Sequence, residues 1–194
     1  MKATKLNAAV KVIAKIVEVM LWIATAVYAG MLVALVVAGA PLVRWVQEGL
    51  DSGNLFIVGD PNLLPVASDA TVLARGFAVA AIAMVAMLGM MAVVFRNIHL
   101  IFSTSETESP FTKANVQRVR RIGELSIIAP IINAIFMVVV DLVVGSRKVE
   151  FFVNMQPIAF GLVVLCLAQF FAYGAELEHD VDGLLLMIAR FREG

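Results

Sequence analysis

Three arginines crowd into four residues, Arg118, Arg120 and Arg121, with Lys113 shortly before them, in the stretch SPFTKANVQRVRRIGEL at 109–125. Cations at this density serve as a patch for nucleic acid, as a helix lying against anionic lipid, or as an arm that docks a partner. The nucleic-acid reading is the weakest, because no aromatic side chain is interleaved with the four cations to stack on bases. A second set of polar residues stands in apolar surroundings: Asn133, Asp141 and Gln169. A carboxylate at the centre of a membrane helix costs about 2.5–3.5 kcal/mol, less near an interface, so Asp141 must face protein, water or a partner. It reads either as half of an ion pair with Arg147 or Lys148 or as a functional polar site. Asn133 follows Pro130, whose ring frees a backbone carbonyl, and a hydrogen bond between helices, with Gln169 as a partner, is favoured there over a solute site.

Metal and catalytic chemistry find little to stand on. The run Glu178-His-Asp180-Val-Asp182-Gly183 imitates the first half of a calcium loop, but Ala189 occupies the place of the closing glutamate. A solvated acidic strip facing the basic arm is the simpler reading. His99 and His179 share no metal spacing, and the single cysteine, Cys166, sits between leucines as a small apolar side chain. No nucleophile with a base, no His-Glu-x-x-His and no phosphate-cradling glycine loop is present, so an enzyme is the least favoured class and no cofactor is expected.

The elements that must position these residues follow from composition. The 194 residues are 61% hydrophobic and 15% charged, with 15 basic against 15 acidic side chains, whereas a soluble domain carries about 25% charge. Four runs without Lys, Arg or Glu, at 19–40, 76–95, 125–144 and about 151–173, meet the roughly 20 residues that cross a 30 Å hydrocarbon core as helix. The expected architecture is an all-α, four-helix membrane bundle forming a single domain over 1–194, with helices at about 12–40, 76–103, 110–144 and 157–182 and outer loops at 41–75 and 145–156. The first run resembles a secretory signal ending at Ala38-Gly39-Ala40, but 22 uncharged residues exceed a normal signal core, and a retained helix is the better reading. Eleven of the fifteen Lys and Arg lie in the N-terminal arm, the 96–124 connection and the C-terminal tail. By the positive-inside rule both termini are cytoplasmic.

Within the basic stretch, Ser109 reads as a cap before Pro110, and Phe111, Val116, Val119 and Ile122 then share one side of a helix. Lys113, Gln117, Arg120, Arg121 and Glu124 take the other, which describes an amphipathic helix at the inner membrane surface running on into the third crossing. Arg118 falls at the edge of the apolar side, where it either snorkels to headgroups or pairs with Glu18, Glu176 or Glu178. In the outer loops the β-forming runs 54–58 and 149–153 would pair as a small extracellular cap. Ala26, Gly30, Ala34 and Ala38 recur every fourth residue, a groove that would admit another helix.

The segments PFTKANVQRVRRIGEL (110–125) and GLVVLCLAQFFAYGAELEHDVDGLL (161–185) resemble the two signature regions of the YoaS-like bacterial four-helix membrane proteins, a family of unknown function. The similarity covers the second half; the first half matches only as hydropathy, and Asp182-Gly183-Leu184 departs from the family's acidic run. The resemblance implies a multi-pass protein of the bacterial cytoplasmic membrane, in a family whose members are often encoded beside a small helix-turn-helix regulator of the Cro type. The functional expectation is an interaction, regulatory or sensing component. Its implied partners are the lipid bilayer and either that cytoplasmic regulator, another membrane protein or a further copy of the chain. Small-solute transport through Asn133, Asp141 and Gln169 is the second reading.

Overall fold

Uninterrupted runs of Ala, Leu, Val, Ile and Met leave the backbone to satisfy its own hydrogen bonds, and the chain answers with helix almost throughout. The computed structural model describes residues 2–52, 70–104, 111–144 and 151–192. These form α1 (Lys2–Ala38), α2 (Ala40–Asp51), α3 (Ala70–Thr104), α4 (Lys113–Val144) and α5 (Met155–Arg192), and among the described residues there is no strand. α1, α3, α4 and α5 are each long and apolar enough to cross a membrane. At 32 to 38 residues they run to about 48 Å or more at 1.5 Å per residue, well beyond a 30 Å core.

One expectation about the first outer connection changes. Residues 41–75 were expected as loop, yet 40–51 form the helix α2. Gly39 makes the corner: its φ of +47° is the left-handed conformation that ends a helix, and its N–H closes on the Leu35 carbonyl at 3.1 Å. The run 54–58 lies outside the described residues, and of 149–153 only 151–153 are described, in no regular element.

The helices contribute to two compact units. The first gathers Met1–Glu18, Ala92–Ile128 and Met155–Gly194; the second gathers Val19–Met91 and Ala129–Asn154. Buried apolar residues in the first unit are Ala14, Ala92, Ile122, Val164 and Ala168, and in the second Val43, Pro130 and Ala134. Alanine makes up most of the first set and one member of the second while many larger side chains point outward, Val36 and Val37 being 80% and 81% exposed. That is the reverse of a water-soluble core. It is how helices pack when lipid solvates their apolar faces and small residues let backbones approach.

The close approach is at Gly123 and Gly161. A Cβ on Gly161 would stand 2.8 Å from the Gly123 carbonyl oxygen and 2.7 Å from Ile127, and one on Gly123 would meet Leu165 at 2.8 Å. Glycine inside a helix costs about 1 kcal/mol relative to alanine, and here it is what lets α4 and α5 touch. Further along, Phe111 lies against Gly174, where a Cβ would come within 2.7 Å of the ring, and stacks at a tilt on Phe171 with centroids 5.4 Å apart. From Phe111, just before α4, to Gly123 on it is 12 residues and from 174 back to 161 on α5 is 13, so the two segments run antiparallel over roughly 18 Å. Among the described residues the groove expected along α1 finds no such neighbour: Gly30 has nothing within 4 Å, and Ala26, Ala34 and Ala38 are exposed.

Candidate functional site: an arginine cleft between two helices of the first unit

The start of α4 is fixed by a cap. Thr112 precedes the helix, its Oγ1 accepts the Asn115 N–H at 3.3 Å, and its carbonyl accepts the Val116 N–H at 3.0 Å. The side-chain oxygen thus satisfies one of the donors a helix start leaves open. Thr112 takes the role expected of Ser109, which lies outside the described residues along with Pro110. The amphipathic stretch forms the opening turns of α4 and runs on without a break into the rest of that helix. Its sides divide as read except at Phe111, which precedes the helix and is exposed: Ile122 is buried and Val116 and Val119 are half-buried, whereas Lys113, Gln117, Arg120, Arg121 and Glu124 are exposed.

Those opening turns and the end of α3 enclose a cleft of about 770 Å³. Val93, Arg96, Asn97 and Leu100 line it from α3; Ala114, Gln117, Arg118, Arg120, Arg121 and Glu124 line it from α4. Arg118 spans the two helices. Its Nη1 donates to Thr104 Oγ1 at 2.8 Å, to Asn115 Oδ1 at 2.8 Å and to the Leu100 carbonyl at 3.3 Å. The Thr104 hydroxyl in turn donates to Leu100 O at 2.9 Å, so its oxygen lone pairs face the guanidinium. Asn115 is fully buried, which sets its amide firmly.

The ion pair weighed for Arg118 is therefore replaced by a cradle of neutral oxygens. Glu18, buried to 5% exposure, takes Lys15 at 3.1 Å instead, because a lysine one turn earlier on the same helix reaches it locally. Arg120 pairs with Glu124 at 2.8 Å across one turn, an exposed pair of the kind that contributes little. Arg121 lines the cleft exposed. Glu176 and Glu178 are exposed on α5, and the 178–183 run that imitates a calcium loop is helical.

The apolar polar set is not brought together in the cleft. Asn133 and Asp141 are half-buried on α4 in the second unit, whereas Gln169 is exposed on α5 in the first. Arg147 and Lys148, weighed as partners of Asp141, lie outside the described residues. Sequence reading missed Thr104, Asn115 and Arg96 as site residues. Asn115 stands one turn before Arg118 and three residues after a capping threonine, which is the signal that would have found it; Arg96 counted only as a topological charge. His99 Nδ1, 3.1 Å from the Lys11 carbonyl, likewise ties α3 to α1 within the first unit without any sequence spacing to announce it.

Four long apolar helices with outward-facing aliphatic side chains define the class: an all-helical, multi-pass membrane protein with a basic cleft between two of its helices. No family model, curated protein or solved structure matches the chain.

Proposed function

We propose that the protein is an interaction or regulatory component of the bacterial cytoplasmic membrane, with both termini and the 96–124 connection inside, acting through a cytoplasmic partner. The observation that supports this reading is the arginine cleft, which gathers Arg96, Arg118, Arg120 and Arg121 where the end of α3 meets the start of α4. The YoaS-like resemblance adds a membrane-linked regulator of the helix-turn-helix type as the partner to look for. Two measurements test the proposal. Ser68→Cys and Asn154→Cys label from outside, and Ser105→Cys and Ala175→Cys only after permeabilisation; outside labelling of Ser105→Cys overturns the orientation. Crosslinking from the 110–123 stretch in native membranes captures one stoichiometric protein, and Arg120→Gln/Arg121→Gln abolishes the capture.

Transport is the second reading, supported by the half-buried Asp141 in an otherwise uncharged span. It replaces the first if no partner is captured while the purified protein moves a solute in liposomes and Asp141→Asn stops that movement.

A further inference from the structure

We propose that the cleft between the end of α3 and the start of α4 is a binding site for a phosphate-type oxyanion, with Arg118 as its fixed donor and Arg96 and Arg121 as its outer donors. The charge around the cleft is unbalanced. Four arginines and one glutamate line it, and Arg120 and Glu124 neutralise each other. Arg96, Arg118 and Arg121 remain, and among the described residues none of the three has a carboxylate partner. Arginine stays protonated at any physiological pH, so three like charges converge on one space and repel there until an anion enters.

Arg118 is prepared for that anion. All three of its hydrogen bonds leave from Nη1, which fixes the guanidinium while its Nε–Nη2 edge takes no partner among the described residues. Two parallel N–H groups on that edge are the fork that grips an oxyanion in bidentate fashion. Because the acceptors holding Nη1 are neutral, the full positive charge is retained, and because they are built from Thr104, Leu100 and the buried Asn115, the side chain is ordered before any ligand arrives. A planar carboxylate is served by one such fork. Arginines on two helices surrounding a single opening suit a tetrahedral group whose oxygens point several ways. The cleft is far larger than a phosphate and falls in the range of ligand sites of about 300–1,000 Å³, so the group can be carried on a larger body. None of its lining residues is aromatic, which removes the stacking platform a nucleic-acid strand requires.

The chemistry has two sources, a free phosphate compound or the phosphodiester of an anionic lipid headgroup. The proposal gives the interaction reading a ligand class, but its test needs neither the partner nor the orientation. The full-length protein in uncharged detergent is heated across an inorganic phosphate series, with chloride holding ionic strength constant. In parallel it is placed in nanodiscs of phosphatidylcholine with and without phosphatidylglycerol, and retained lipid is measured by native mass spectrometry. Stabilisation by phosphate assigns a soluble ligand; selective retention of phosphatidylglycerol, displaced by phosphate, assigns the headgroup. Either result supports the site. Arg96→Gln/Arg121→Gln, exposed positions that leave the cradle intact, weakens binding about tenfold, equivalent to about 1.4 kcal/mol. Arg118→Lys weakens it comparably despite keeping the charge, because an ammonium has no fork. Arg44→Gln, an exposed arginine on α2, leaves it unchanged. Absence of both phosphate stabilisation and phosphatidylglycerol selectivity overturns the site, and so does an equal loss in Arg44→Gln, which would mark general charge attraction.

Discussion

The two compact units are built from the same kinds of helix yet solve different problems. The first holds eleven of the fifteen lysines and arginines, two glycines wedged between helices, and a guanidinium shared by three oxygens on two helices. In the second, the buried apolar side chains among the described residues are Val43, Pro130 and Ala134, the small-residue face of α1 is exposed, and Asn133 and Asp141 are only half-buried. Where charged groups gather, their hydrogen bonds must be met at definite places, and helix ends become specified to the residue. Where lipid solvates the surface, apolar side chains need no partner within the chain, and much of the sequence constrains only length and hydropathy.

The largest expected difference comes from the glycines. Gly161→Leu drives a side chain into the Gly123 carbonyl and Ile127, and overpacking of this kind costs about 1–3 kcal/mol or more. Thermal unfolding in one detergent shows the loss directly, whereas Gly30→Leu, facing open space, leaves the transition where it was. Equal effects from the two would erase the distinction between a packed first unit and an open α1 groove.

A smaller separation is expected from the cradle. Arg118→Met removes the charged donor that Asn115 Oδ1 accepts from, a loss of about 1.5–3 kcal/mol for a hydrogen bond to a charged group. Asn115→Leu costs less in that variant than in the unaltered chain, a coupling that a double-mutant cycle reads out. No coupling between the two positions would mean that Arg118 is held by Thr104 and Leu100 alone.

The smallest effect belongs to Arg120 and Glu124. Their side chains are 70% and 46% exposed, and an exposed pair four residues apart on a helix contributes about 0.3–0.5 kcal/mol, less in salt. Glu124→Gln therefore shifts unfolding barely at all. A shift as large as that of Arg118→Met would show that the pair is part of the structural cradle.

Much of the first unit's outline is legible from residue types. The exposed side at Lys113, Gln117, Arg120, Arg121 and Glu124 and the inward Ile122 follow from 100° per residue, and that periodicity holds wherever a helix forms. The segments 110–125 and 161–185, singled out for their resemblance to one family, prove to pack on each other through Phe111 with Gly174 and Gly123 with Gly161. Sequence separation hid this, since a glycine in a helix announces room for a neighbour without saying which neighbour arrives.

By itself the sequence determined that this is an all-helical chain with four segments able to cross a membrane, because length, charge depletion and the backbone's need to bond within itself are local properties. The tertiary structure decided which small residues are contacts: Gly123 and Gly161 touch, while the more regular Ala26–Gly30–Ala34–Ala38 repeat is exposed among the described residues. It also decided the company of Arg118. An arginine's long side chain reaches any acceptor within several ångströms, and only the approach of α3 to α4 put Leu100 and Thr104, rather than a carboxylate, within that reach.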